Sequence, residues 1–185
     1  YNVKHDSIMS NLRSYESTLD SALSGERIPL SVYYNLIEAV HKSLTSMHKY
    51  MEIRKRALGV NALRMYDVYR PIVKPEGLEC TYDEAVEIAC KALAPLGDEY
   101  VSTLRKGLTE ERWVDIYENK GKTSGAYNFG SYDSHPYILM NFSGELRDVF
   151  TLVHEAGHSM HSYYTRKTQP FIYGGHSIFT AEVAS

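Results

Sequence analysis

The sequence predicts a mainly α-helical protein with one small β-sheet. Most of the chain places apolar residues three and four positions apart, which is the pattern of helices with one buried face. Residues 121–142 break that pattern with three glycines and a short apolar run at 137–140. Such a segment is typical of two or three strands joined by turns. With 43% apolar and 23% charged residues in a chain of 185, the composition is that of a globular protein.

Residues 8–58 are predicted to form an antiparallel pair of helices. Residues 24–26, Ser-Gly-Glu, interrupt the apolar pattern, Pro29 lies near the start of the second helix, and Gly59 ends it. We expect residues 1–65 to be a helical hairpin that acts as a scaffold and carries no chemistry. The apolar face of the second helix comprises Tyr33, Leu36, Ile37, Val40, Leu44, Met47 and Met51.

The elements that follow alternate between connectors and helices. Residues 66–71 are predicted to be extended. Thr81 is expected to cap a helix that ends near Pro95, and a shorter helix is expected over residues 99–108. After the predicted sheet, Ser143 is expected to cap a strongly apolar helix that runs to about Tyr164.

Charge and cysteine content exclude several classes of protein. A net charge of −3 gives no electrostatic reason to bind nucleic acid or an anionic membrane. No stretch approaches the 18 or so apolar residues of a spanning helix. Cys80 and Cys90 are too few for a disulfide framework, which favours a reducing compartment such as the cytoplasm. The chain lacks an initiator Met and stops in mid-pattern at residues 181–185, so we expect a piece of a longer protein.

The strongest chemical signal is the pattern H-E-x-x-H at residues 154–158. On a helix, His154 and His158 project from the same face, close enough to share one tetrahedral Zn²⁺. Glu155 lies beside the first of them and can act as the general base on a metal-activated water as it attacks a carbonyl. The motif therefore predicts a zinc site with hydrolytic chemistry.

A catalytic zinc site requires a third protein ligand. Glu182 is the only carboxylate downstream of His158, and the residues before it permit a second helix packed against the first. Two alternatives remain open. His161 lies one turn after His158 but about 10 Å along the axis from His154, and His176 follows two glycines in a loop.

Several segments resemble oligoendopeptidase F, in the thimet-oligopeptidase-like group of zinc metallopeptidases. The resemblance is carried by residues 150–164, 124–127, 137–141 and 178–185. It implies a zincin-like catalytic region over residues 66–185, mainly α-helical, with the small β-sheet next to the metal-binding helix.

The same resemblance implies the roles of the site residues. His154, His158 and Glu182 match the ligands of one Zn²⁺ per chain, and Glu155 matches the general base. Members of the family are mostly cytosolic and act on short peptides within a channel. The Tyr and His residues that stabilise the oxyanion in the family lie beyond the third ligand, hence beyond Ser185.

Candidate substrate contacts are less specific. The chain has 16 tyrosines against 5 phenylalanines, which suits a polar cavity or contact surface. Tyr127, Tyr132, His161 and His176 are the candidates, although residues of these types more often serve simple packing or lie on the surface. The segment 127–132 could present a sheet edge to a peptide substrate or could be an ordinary hairpin.

The function predicted from the sequence is a zinc-dependent endopeptidase that cleaves internal bonds of short oligopeptides. The alternative is a metal-stabilised structural or peptide-binding module, whose zinc is closed by a fourth protein ligand such as His176. An open coordination position distinguishes an enzyme from a structural site.

Overall fold

The computed structural model describes residues 1–73 and 79–185. It is mostly helical with one three-stranded sheet, which confirms the predicted fold class. The chain divides into two compact units, Tyr1–Lys74 and Pro75–Ser185. The scaffold and catalytic roles assigned to residues 1–65 and 66–185 stay predictions. Among the described helices, none combines the length and the apolar character that crossing a membrane requires.

The first unit contains three α-helices: α1 (Asn2–Leu12), α2 (Thr18–Ser24) and α3 (Leu30–Leu58). The first of the two predicted helices is thus two separate helices. Ser14 adopts a left-handed conformation with φ of +62° between them. Ser17 then starts α2 by accepting the backbone N–H of Asp20 at 3.0 Å. Gly59 ends α3 with φ of +65°, as predicted.

The apolar face predicted on α3 is largely exposed within this unit. Leu36 is 63% exposed, and Val40 and Met47 are each 51% exposed. The periodicity identified the helix correctly, because helical spacing does not depend on which partner covers the face.

The predicted extended connector at residues 66–71 is wrong, because Met65–Tyr69 forms a short 3₁₀ helix. Its first turn is held by the carboxylate of Asp67, which accepts the backbone N–H of Arg64 at 2.8 Å. The buried guanidinium of Arg54, on α3, donates to the carbonyl oxygens of Asp67 and Arg70. Arg54 thus stabilises the 3₁₀ turn from 13 positions away in the sequence, so the residues of the turn alone do not predict it.

The second unit begins with α4 (Tyr82–Ala92) and α5 (Asp98–Thr109), with a 3₁₀ turn at Ala94–Leu96 between them. The cap at Thr81 is confirmed, since its hydroxyl accepts the N–H of Glu84 and its own N–H binds the Glu84 carboxylate. Helix α6 (Leu146–Thr168) is the longest of this unit, and α7 (Ile178–Val183) follows a 3₁₀ turn at Phe171–Tyr173.

The cap predicted for α6 is wrong by two positions. Glu145, not Ser143, is the residue that precedes the first helical turn. The N–H and the hydroxyl of Ser143 both donate to the carboxylate of Asp148 at 2.8 Å. The serine therefore binds the start of the helix from outside it.

Three short strands form the sheet: β1 (Val114–Asp115), β2 (Tyr127–Phe129) and β3 (Tyr137–Leu139). Strand β3 is central, with β1 parallel to it and β2 antiparallel. Strand β1 lies outside the predicted segment 121–142, and its two residues are too few to give an alternating pattern.

The core of this unit lies between α4, α5, α6 and one face of the sheet. Trp113 is 1% exposed and packs directly on α5. A Cβ at Gly107 would lie 2.4 Å from the Trp113 indole, so this position requires glycine. Ile138 of β3 and Leu152 of α6 are buried in the same cluster, which fixes the sheet against the helix that carries the H-E-x-x-H motif.

Candidate metal centre

Helix α6 brings the two motif histidines together. His154 and His158 lie four residues apart on one face, and their Nε2 atoms are 3.2 Å apart. Their rings cross at 80°, with centroids 4.7 Å apart. Two nitrogens that bind the same tetrahedral Zn²⁺ at about 2.0–2.1 Å lie roughly 3.3 Å from each other. The spacing of the two imidazoles therefore fits a shared zinc ion.

A carboxylate from α7 completes the donor group. Glu182 Oε2 lies 3.9 Å from His154 Nε2, and one donor atom of each of His154, His158 and Glu182 lies within 4.8 Å of the others. Glu182 lies on a second helix that contacts α6, as the sequence predicted. Two imidazoles and one carboxylate are a donor set that catalytic zinc accepts.

Gly157, inside the motif, allows α7 to approach this closely. A Cβ at Gly157 would lie 2.5 Å from the carbonyl oxygen of Ala184 and 2.7 Å from Cα of Ser185. Both atoms are backbone, so a side chain at position 157 would displace the end of α7. This role of Gly157 was not predicted from the sequence, and a glycine in the interior of a predicted helix is the signal that could have revealed it.

Glu155 lies beside the donor group but is buried, with 5% exposure. Its Oε2 has no hydrogen-bond partner in the described part of the chain. Burial raises the pKa of this carboxyl, and the neighbouring His154 and His158 only partly oppose that shift. An unpartnered carboxylate oxygen next to a metal-binding group is suited to accepting a proton.

The other two candidate histidines lie together, outside the donor group. The rings of His161 and His176 stack at 24° with centroids 4.0 Å apart. Burial lowers the pKa of His176, and the adjacent His161 and His158 lower it further. His176 therefore lies near the candidate metal centre, but its ring packs against His161.

The two candidate tyrosines lie in different places. The Tyr132 hydroxyl donates to the carbonyl oxygen of Gln169, just after α6. Asn128 of β2 donates to Ser159 of α6 at 2.7 Å, so its neighbour Tyr127 lies on the opposite face of the sheet. There Tyr127 lines a groove of about 510 Å³, away from the donor group.

The arrangement of these side chains is typical of one class of protein. Metal-dependent peptidases with an H-E-x-x-H helix have three features in common. The helix carries paired histidines, a glutamate lies between them, and a carboxylate comes from a following helix.

The sequence matches one family over its whole length. All of residues 1–185 match the model described as Peptidase family M3. The chain therefore belongs to peptidase family M3, and the predicted resemblance to oligoendopeptidase F is confirmed.

Relatives and solved structures agree with this assignment. Oligopeptidase PepF of Bacillus subtilis (strain 168) is 51% identical over 183 residues, 99% of this chain and 27% of its own length. A crystal structure of a protein assigned as a peptidase from Chlamydophila abortus superimposes with a TM-score of 0.85 at 45% identity, over 98% of this chain and 30% of that one. The crystal structure of oligoendopeptidase-F from Enterococcus faecium superimposes with a TM-score of 0.58 at 33% identity, over 99% of this chain and 24% of that one. The chain thus spans 27–30% of the length of curated relatives such as those of B. subtilis and Lactococcus lactis.

Proposed function

We propose that the protein carrying this chain is a zinc-dependent endopeptidase that hydrolyses internal bonds of short oligopeptides. His154, His158 and Glu182 would hold one Zn²⁺ per chain, and Glu155 would be the general base. The observation that carries the proposal is the set of three donor atoms within 4.8 Å of one another, beside a buried glutamate with a free oxygen.

The roles of the residues follow from their positions. Zinc, when bound, supplies a Lewis acid that polarises the carbonyl of the scissile bond. Glu155 Oε2 would accept a proton from the attacking water and later deliver it to the leaving amine. Burial keeps this oxygen away from competing donors, which favours transfer to the reacting groups over solvent.

The sheet offers a site for the peptide backbone. Strand β2 pairs with β3 on one side and, among the described residues, forms the other edge of the sheet opposite β1. Asn128 holds β2 against α6 through Ser159, one residue after His158. A peptide added as a strand along β2 would run next to the helix that carries the proposed zinc ligands.

The size of the substrate and the location belong to the same proposal. Relatives are named oligopeptidase and oligoendopeptidase, which supports short peptides as substrates. Cys80 and Cys90 are both free thiols, which supports a cytoplasmic location. The net charge of −3 supports neither nucleic acid nor an anionic membrane as a partner.

The alternative, a closed structural zinc site, requires a fourth protein ligand. Within residues 1–73 and 79–185, the His/Cys/Asp/Glu group at this centre has three members, and the His176 ring stacks on His161 instead. This geometry favours the open site of an enzyme.

The substitution Glu155→Gln tests the proposal. It should leave zinc content unchanged, because Glu155 acts on water and does not bind the metal, and it should lower kcat by several orders of magnitude. Zinc content by elemental analysis and cleavage of a fluorogenic peptide by the full-length protein are the two measurements. Glu118→Gln, at an exposed position, is the matched control and should change neither. Loss of zinc in Glu155→Gln, or turnover like that of the parent, would overturn the proposal.

A further inference from the structure

The position of Glu182 depends on the segment that joins α6 to α7. This α6–α7 connector, residues 169–177, contains one 3₁₀ turn and two adjacent glycines. Glycine is the least restricted residue, so the connector has little conformational preference of its own at Gly174 and Gly175. Contacts with the rest of the unit must therefore define its course.

Tyr132, in the loop between β2 and β3, contacts the connector at three points. Its hydroxyl donates to the carbonyl oxygen of Gln169. Its ring meets the Phe171 ring edge-on, with centroids 5.5 Å apart at 86°. A Cβ at Gly174 would lie 2.7 Å from the Tyr132 ring, so the backbone there packs directly against it. One side chain thus contacts the connector from Gln169 to Gly174.

The loop that carries Tyr132 is itself attached to α6. Arg166 Nη2 donates to the carbonyl oxygen of Gly130 at 2.9 Å. A Cβ at Gly130 would lie 2.7 Å from Arg166 Nη1 and 3.1 Å from the carbonyl oxygen of His135, so the loop backbone lies close to the guanidinium. At the far end of the connector, His176 stacks on His161 of α6. Helix α6 therefore holds the β2–β3 loop, the loop holds the start of the connector, and the end of the connector packs back on α6.

We propose that Tyr132 is a positioning residue of the metal centre, which holds the α6–α7 connector so that Glu182 reaches His154 and His158. The inference rests on the proposed function, in which Glu182 is the third ligand. Residues that orient metal ligands without touching the metal typically contribute 10–100-fold to metal affinity. Tyr132 acts in this way through the backbone of the connector.

Metal affinity, measured independently of activity, tests the inference. The full-length protein is stripped of metal and titrated with Zn²⁺ in competition with a chromophoric chelator. Tyr132→Ala should bind zinc about 10–100-fold more weakly. Tyr132→Phe keeps the ring and loses one hydrogen bond, so it should weaken binding about fivefold. Tyr173→Ala, which removes a 63% exposed tyrosine from the same connector, is the control and should bind like the parent.

A double-mutant cycle separates positioning from general loosening of the fold. In a Glu182→Ala background, Tyr132→Ala should cause no further loss of zinc affinity, because Tyr132 acts only through Glu182. Equal losses in both backgrounds would overturn the inference, as would parent-like binding by Tyr132→Phe and Tyr132→Ala. If Tyr132→Ala fails to fold, Tyr132→Phe decides the outcome.

The same cycle distinguishes the two proposals. If Glu182→Ala binds zinc like the parent, Glu182 is not the third ligand, and the proposed role of Tyr132 is then wrong as well. If Glu182→Ala loses zinc while both Tyr132 variants bind normally, only the positioning role is wrong.

Discussion

Gly157 shows how a single residue can couple two helices. In a helix interior, glycine is about 1 kcal/mol less favourable than alanine. The position nevertheless faces the backbone of Ala184 and Ser185, which a Cβ would meet at 2.5 and 2.7 Å. The glycine weakens α6 locally and in exchange allows α7, with Glu182, to lie against the histidine pair.

Gly157→Ala should therefore weaken zinc binding while leaving α6 helical. Alanine favours the helix, but the end of α7 must move to make room, which draws Glu182 away from His154 and His158. Zinc titration should show an affinity at least tenfold lower, on the scale of other changes that displace a metal ligand, and far-UV circular dichroism should be unchanged.

Gly175→Ala is the matched control, because a Cβ there meets nothing within 4 Å. It should bind zinc like the parent. Parent-like affinity in Gly157→Ala would show that the close approach of α7 is unnecessary for the site.

The sequence predicted residue identities better than residue contacts. The spacing of His154 and His158 follows from helix geometry alone. The contacts of Tyr132 with Gln169 and of Arg166 with Gly130 join residues 37 and 36 positions apart. Neither has a local pattern, so these positioning contacts could be found only in the folded chain.

Among the elements, α6 matters most, because it carries both histidines and Glu155. Its start is organised by Asp148, which accepts hydrogen bonds from the N–H and hydroxyl of Ser143 at 2.8 Å and from the N–H of Glu145 at 3.1 Å. Burial acts to raise the pKa of Asp148, but the hydrogen bonds from Ser143 and Glu145 outweigh it and hold the pKa below its usual value.

Asp148→Asn should destabilise the metal-free protein by about 1–2 kcal/mol at pH 7, the range found for helix caps. Because the folded pKa of Asp148 is lowered, its contribution is fully present above the unfolded pKa of about 3.9 and is lost as pH falls through the folded pKa. The difference between parent and variant should therefore shrink below about pH 4. Denaturant unfolding of the metal-free proteins at pH 7 and at pH 3 measures it.

Asp133→Asn, at an exposed position in the β2–β3 loop, controls for a general change in charge and should be neutral at both pH values. A difference for Asp148→Asn that is the same at pH 7 and pH 3 would show that its charge does not stabilise α6.

Most element boundaries were predicted to within a few residues, and the clearest failures lie where no local signal marks the change. Thr81 and Glu84 form the cap that predicted the start of α4. Gly59 predicted the end of α3, because glycine readily adopts the left-handed conformation found there. The break at Ser14 was missed because the apolar spacing continues across it. The 3₁₀ helix Met65–Tyr69 was missed because a distant arginine, Arg54, holds it in place.

At the scale of the molecule, the sequence predicted the class of fold and the family but not the assembly of the centre. The helical periodicity and the glycine-rich segment were sufficient for a helical protein with a small sheet. The meeting of α6 and α7 depends on the connector and on Gly157. Both involve contacts between residues far apart in the sequence, which exist only in the folded chain.

We propose above all that His154, His158 and Glu182 form one open zinc site. The most direct test is a crystal structure of the zinc-loaded full-length protein. We expect one zinc ion bound by both histidine nitrogens at about 2.0–2.1 Å and by the Glu182 carboxylate at about 2.0–2.2 Å, with the fourth position left to solvent. A fourth protein ligand such as His176, or zinc bound without Glu182, would show that the site is not the open three-ligand site proposed here.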